Sequence, residues 1–310
     1  MQIAEPSETS PGRPDDHTAS TVSEWWSRLA RTPDTQSNMM TVDVEDYFQV
    51  EAFSTLVARS NWDRYDCRVE RNVDRILEMF SSAGATATFF TLGWVAKRYP
   101  HLVRRIVAGG HELGSHGLEH RRADSQSPRE LLTDLRDSKS LLEDIGSTPV
   151  KGYRAASFSV GLNNLWALQT IAEAGYRYSS SIYPIHHDLY GIPKAPRFAF
   201  NPFAGSTFLE IPVTSFRLAG MNLPCGGGGY FRLLPYWWSA FQLRRIAVAG
   251  GHPTMFYFHP WEIDAEQPKI EGAPFKTRVR HYSNLNRMER RLQRLLGQFT
   301  WRRVDAVYQL

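Results

Sequence analysis

The chain carries only two cysteines in 310 residues, Cys67 and Cys225. They form no metal-ligand spacing, so a thiolate metal site is excluded, and nothing in the pattern requires a disulfide. Long apolar runs are also missing: none approaches the ~20 residues that a membrane span needs. The first residues, MQIAEPSETSPGRPDDH, are polar and acidic and lack the basic and apolar regions of a secretory signal, which makes the cytoplasm the expected compartment. A large excess of one charge sign is absent as well, the formal net charge being +4. Arginine pairs occur at Arg121–Arg122, Arg244–Arg245, Arg290–Arg291 and Arg302–Arg303, but they are scattered among expected helices and read as solvated faces. Nucleic acid is therefore not an expected partner. What the chain does have is a hydrophobic fraction of 42% with nine tryptophans, enough for one large α/β domain or one domain with an appended subdomain.

Residues 1–37 are rich in Ser, Thr, Pro and Asp and read as a disordered tail, apart from the amphipathic patch SEWWSRLA at 23–30. From Asn38 the pattern alternates between strand and helix. MMTVDV (39–44) reads as a strand running into an acidic cluster. The run 69–84 has helical spacing at Val69, Val73, Ile76, Leu77 and Phe80, with Gly84 as its stop. A strand over 86–93, a helix over 101–110 and a short strand HELGSH follow. Residues 127–146 form the clearest helix, with Ser127 and Glu130 as a capping box and Gly146 at its end. PVKGYRA, YRYSSSI, FLEIPV and TMFYFH add strands. Helices are expected over 162–175, 235–251 and 284–297, and FTWRRV reads as a last strand after a proline-containing loop that begins near 260. Such alternation predicts parallel βαβ units, and the chemistry-bearing residues fall at the C-terminal strand ends where βα barrels assemble their sites.

Those residues begin with the spacing of His116 and His120 in ELGSHGLEH. Two imidazoles plus one carboxylate around a divalent ion leave positions open for water and substrate. Ten histidines make one such spacing common by chance, but GHE upstream, Gly117 between the pair and His259 at the end of a late apolar run strengthen it. In DVED, Asp43 and Glu45 share one strand face, so one can hold metal while the other serves as base, and Asp46 just past the strand is a rival ligand. Arg154 in GYRAASFSV follows a strand and can hold a carboxylate in a bidentate pair, keeping it ionised. His259, delivered to the same rim, can protonate a leaving amine.

Taken in order, TVDVED, SHGLEH, GYRAAS and FYFHPW resemble the motifs of the polysaccharide deacetylases of carbohydrate esterase family four, the NodB-homology proteins. The likeness implies an α/β fold, a distorted (β/α) barrel of the NodB-homology type with a C-terminal extension, over 38–310 with the extension at about 261–310. It implies Asp43 as catalytic base, Glu45, His116 and His120 as ligands of a divalent ion, zinc by the same likeness, Arg154 as the residue that orients the base, and His259 as general acid. Ser157 is the implied backbone donor to an oxyanion, and Trp94, Tyr153, Phe158, Trp261 and Tyr230 are implied sugar-stacking walls. TVDVEDYFQVEAF, RAASFSV, GGGGYFRLLP and RHYSNLNRMERRL further resemble the deacetylases encoded with exosortase and exopolysaccharide loci. That branch implies an N-acetylated surface glycan as substrate, exopolysaccharide assembly proteins as partners and no organic cofactor.

Two departures matter. A glutamate stands where the family has a metal-ligand aspartate, and Ser179 in YRYSSS stands where an aspartate normally partners the acid histidine, so His259 is expected to lack its acidic partner. The alternatives are a small-molecule amidohydrolase of the allantoinase kind and a degenerate sugar-binding subunit.

Overall fold

The computed structural model describes residues 33–310. The patch at 23–30 and the expected tail as far as 32 lie outside the described residues. At 33–37 the chain is held, the Asp34 N–H bonding the Val307 carbonyl at 3.0 Å and Ser37 being buried.

Among the described residues the strands are β1 Asn38–Val44, β2 Thr88–Thr91, β3 Glu112–Ser115, β4 Gly152–Tyr153, β5 Tyr178–Ser179, β6 Leu209–Glu210, β7 Ser215–Leu218, β8 Met221–Pro224, β9 Met255–Phe258 and β10 Trp301–Arg302. The α-helices of the described residues are α1 Val69–Ala83, α2 Gly93–Arg98, α3 Pro100–Ala108, α4 Pro128–Gly146, α5 Trp166–Glu173, α6 Gly228–Leu233, α7 Tyr236–Arg244, α8 Phe275–Tyr282, α9 Leu285–Leu296 and α10 Val304–Tyr308. Eight strands make one parallel sheet in the order β10-β1-β2-β3-β4-β5-β6, with β9 paired to β1. β7 and β8 form a separate antiparallel hairpin.

The sheet curls into a distorted (β/α) barrel, in agreement with the expected fold class. Its two ends, β6 and β9, share no ladder. Extended backbone at Gly226–Gly227 bridges them: Gly227 pairs with Tyr257, and the Gly226 N–H bonds the Thr214 carbonyl at 3.2 Å. Only glycine allows this approach, since a Cβ on Gly226 would lie 2.4 Å from the Met255 carbonyl oxygen.

The period of two along β1 sets the two faces. Met40, Val42 and Val44 pack outward with Val73, Ile76 and Phe80 of α1 and Met288 and Leu292 of α9. Met39 turns inward to Phe90, Tyr178 and Met255. Each such fully buried aliphatic side chain contributes roughly 2 kcal/mol. Asp43, in phase with Met39, is thereby delivered to the barrel mouth at the strand's C-terminal end.

Several expectations shift in detail. The strand at 86–93 is shorter, because α2 begins at Gly93. The helix over 235–251 is α7 followed by a π turn at Arg245–Ala249. Gly146 stands at the end of α4, as expected. It is the last helical residue, kept small because a Cβ would meet Leu113 at 2.8 Å, and Ser147 takes the left-handed cap with φ of 48°. The region after 260, read as loop, contains a 3-10 turn at Pro260–Ile263 and α8. The β7–β8 hairpin and α6 carry no clean periodicity and were not legible. Cys67 and Cys225 are both free thiols.

Candidate active site

His116 and His120 sit in a loop after β3, not on a helix, and both are almost fully buried. The loop reverses at Gly117, with φ of 78°, where a Cβ would lie 2.9 Å from an Asp134 carboxylate oxygen. The first N–H groups of α2, those of Gly93 and Trp94, donate to the Gly117 and Leu118 carbonyls at 2.8 Å each. Arg59 donates to the carbonyls of Glu119 and His120. The pair is therefore held by backbone on both sides.

The His116 Nδ1–H donates to the Arg154 carbonyl at 2.8 Å, which leaves Nε2 with its lone pair facing the site. Burial pushes the His116 pKa down to about 4, so the ring is neutral and able to ligate. His120 Nε2 lies 3.0 Å from Glu45 Oε2, yet that oxygen has no hydrogen-bond partner. Burial works against a charge on Glu45, but His120 foremost, with His259 and His116, holds its carboxyl down at about 2. Ligand atoms of Glu45, His116 and His120 all lie within 4.8 Å of one another. A buried carboxylate oxygen without a proton donor, facing two imidazoles, fits a shared divalent cation.

Beside this cluster Asp43 Oδ1 accepts from Arg154 Nη1 at 2.6 Å. Arg154 is 0% exposed and also donates to Thr41 Oγ1, the Ser180 carbonyl and Ser180 Oγ. The guanidinium lies over the Phe90 ring at 4.2 Å. The contact to Asp43 is a single short bond, with the other nitrogens anchored elsewhere.

His259 directly follows β9, with Nε2 3.4 Å from Glu45 Oε1 and 3.9 Å from Asp43 Oδ2. Its Nδ1 donates to Glu262 Oε1 at 2.9 Å. The expectation that His259 lacks an acidic partner is thus corrected: the 3-10 turn after β9 folds Glu262 back onto it. Glu262 Oε2 in turn accepts from Arg232 Nε at 2.7 Å, and Arg232 donates onward to the carbonyls of Arg280, His281 and Ser283. Burial opposes a charge on His259, but the Glu262 bond and then the charges of Glu45 and Asp43 raise its pKa to about 9. Ser179 is bonded instead to Ser181 Oγ at 2.7 Å, next to the buried Glu210.

Asp46 stands apart from the cluster. Its carboxylate accepts the N–H groups of Tyr47, Arg68 and Val69, capping the start of α1, and burial raises its pKa to about 6. The six expected site residues, Asp43, Glu45, His116, His120, Arg154 and His259, come together, and all but the buried Arg154 line one cavity of about 600 Å³. Ser157, Phe158 and Trp261 line it too, and Ser157 and Phe158 hold φ of 53° and 50°. Trp94 packs instead on Trp62 and Phe48, and Tyr153 on Tyr176; neither these two nor Tyr230 lines the cavity. Tyr190 and Tyr257 are wall residues that sequence reasoning missed.

Glu262 and Arg232 were also missed. The signal was available in HPWE, an acid three residues after the histidine at the spacing of a capping turn. Gly228 makes room for it, since a Cβ there would lie 2.3 Å from Glu262 Oε1.

The same fold occurs in a Mycobacterium smegmatis protein assigned to the polysaccharide deacetylases, with a TM-score of 0.56 and 17% identity over 88% of each chain. It occurs also in the PuuE allantoinase, with a TM-score of 0.54 and 16% identity over 89% of this chain and 91% of that one. The fold is thus the barrel that those two proteins share. Residues 60–179 match the profile described as polysaccharide deacetylase. Residues 180–309 match a domain of unknown function (DUF3473). A peptidoglycan-N-acetylglucosamine deacetylase of Bacillus cereus is 32% identical over 103 residues, 33% of this chain and 46% of that protein. A chitooligosaccharide deacetylase of Azorhizobium caulinodans is 31% identical over 81 residues, 26% of this chain and 39% of that one. The matches span less than half the length of these curated relatives.

Proposed function

We propose that this chain is a metal-dependent hydrolase that removes N-acetyl groups from the sugars of a surface polysaccharide or its precursor. The observation that carries the reading is the Glu45–His116–His120 cluster opening into one cavity beside the Asp43–Arg154 pair and His259. Likeness to the exosortase- and exopolysaccharide-locus branch supports the substrate class and assembly proteins as partners.

Glu45, His116 and His120 would hold a divalent ion, zinc by their donor set, and such an ion would supply Lewis-acid polarisation and a more acidic water. Asp43 takes the water proton at Oδ2, the oxygen not bonded to Arg154, while Arg154 keeps the carboxylate ionised and aimed. The Ser157 N–H is the candidate donor to the oxyanion. His259 gives its Nε2 proton to the departing amine, with Glu262 holding the ring by Nδ1 and favouring the protonated form. Phe158, Trp261, Tyr190 and Tyr257 offer apolar faces to a pyranose ring.

The test is acetate release from N-acetylated chitooligosaccharides by protein of measured metal content, before and after chelation and metal return. Chelator-sensitive release that returns with metal supports the reading. Metal-loaded protein that hydrolyses allantoin and releases no acetate from glycans overturns it in favour of the small-molecule alternative. Binding of oligosaccharide without any hydrolysis overturns it in favour of a sugar-binding subunit.

A further inference from the structure

From Ile211 to Trp261 the chain contains no Asp or Glu, although it has 32 acids in 310 residues. The arginines of this stretch include Arg217 on β7 and Arg244 and Arg245 at the end of α7, all exposed. None of these three makes an ion pair among the described residues; Arg217 bonds only the Asn222 amide oxygen. The deficit of acids therefore leaves a cationic surface that the protein itself does not neutralise.

The same elements expose apolar side chains. α7 is apolar on both sides: Ala240 and Leu243 are buried against the body, while Trp237 and Phe241, four residues apart, face outward at 67% and 45% exposure. Val248, on the continuing π turn, is 80% exposed, and Met221 at the hairpin tip is 64% exposed. Ring contacts join the hairpin to the helix: Phe216 lies 6.1 Å from both Trp238 and Phe241, and Trp238 stacks on Phe241 at 5.6 Å. The face is thus one connected patch. None of its residues lines the site cavity.

We infer that the outer face of α7 with the β7–β8 hairpin is a peripheral docking surface for an anionic lipid membrane. Indole and phenyl rings settle at the boundary between headgroups and acyl chains, where an apolar body and a polar edge are both satisfied. Exposed arginines on the same elements meet lipid phosphates, each strengthening attachment roughly fivefold at an anionic surface. A protein partner would have to bring the acids that this face lacks, whereas an anionic bilayer presents negative charge and apolar depth together. The inference stands on this surface alone and does not depend on the chemistry of the cavity.

The experiment is sedimentation of the full chain with vesicles of phosphatidylcholine mixed with phosphatidylglycerol, against vesicles of phosphatidylcholine alone, at low and high salt. Wild type should bind the anionic vesicles, more weakly in high salt and weakly or not at all to neutral ones. Arg244→Gln with Arg245→Gln should lower the vesicle affinity by roughly tenfold or more. Trp237→Ser with Met221→Ser should abolish binding, and near-ultraviolet circular dichroism should report an intact fold in both variants, since these side chains are exposed. Failure of wild type to bind anionic vesicles, or binding unchanged in both variants, overturns the inference. Concentration-dependent self-association of wild type that Trp237→Ser relieves, without vesicle binding, would assign the face to a second copy of the chain and also overturns it.

Discussion

Glu262→Gln isolates the contribution of one buried charge, because the amide preserves the shape and one acceptor oxygen. Glu262 sits 2.9 Å from His259 Nδ1 and 2.7 Å from Arg232 Nε, and burial opposes its charge while Arg232 and then His259 hold its carboxyl down at about 2. At an effective dielectric of ~20, a unit charge ~4 Å away is worth about 4 kcal/mol, or roughly three pKa units. The difference between charged and neutral hydrogen bonds measured by mutation is nearer 1–2 kcal/mol, about one unit. The His259 pKa, raised to about 9, should therefore fall by roughly one to three units. Its donor form is present below that pKa and lost as pH rises through it, so the alkaline limb of the pH–rate profile should move to lower pH. A second effect accompanies it: Arg232, 1% exposed, keeps its charge and loses its counter-ion, which should cost ~3–5 kcal/mol of stability. The double variant Glu262→Gln, Arg232→Gln removes that orphan charge and should recover part of the stability without returning the alkaline limb. The assay is acetate release against pH, with thermal unfolding run on the same samples. A limb that stays where wild type has it would refute the role given to Glu262, and so would a double variant that restores the limb.

Four further outcomes are expected. His116→Ala and His120→Ala should each lose stoichiometric metal by elemental analysis and lose hydrolysis while remaining folded, since the rim loop is held by its backbone bonds. Asp43→Asn should retain metal yet lose ~10²–10⁴ in turnover, because an amide cannot take the proton, while Arg154 stays anchored by Thr41 and Ser180. Burial raises the Glu210 pKa to about 7, so the stability it contributes is present below the ordinary carboxyl range and is lost as pH rises through about 7. Urea unfolding across that range should show the decline, and Glu210→Gln should flatten it by ~2–3 kcal/mol. Ser179→Asp should leave the alkaline limb in place and lower the unfolding temperature, since Glu262 already serves His259 and the new carboxylate would be buried beside Glu210.

The parts of this protein that were legible in the sequence are those whose information is local and periodic. Helical spacing from Val69 to Phe80 and the Ser127–Glu130 box marked α1 and α4, because a helix buries every third or fourth side chain wherever it docks. Alternation in MMTVDV marked Asp43 as inward, since a strand has two faces whatever it pairs with. The His116–His120 spacing pointed to a shared ligand set, although not to the left-handed turn at Gly117 that aims it.

Tertiary structure alone decided the rest. Asp46 and Glu45 are adjacent acids in sequence, and only the arrival of the α1 N-terminus, whose N–H groups need an acceptor, makes one a helix cap and leaves the other beside two histidines. The acidic partner of His259 moved from one strand end to a 3-10 turn, secured by an arginine 30 residues upstream through a gap that Gly228 keeps open. Gly146 ends α4 where the sequence placed the end, but only the packing shows that it must also be small to clear Leu113. The exposed aromatic side of α7 is indistinguishable from a buried one in sequence, because hydrophobicity records what a side chain avoids and not whether the fold has covered it.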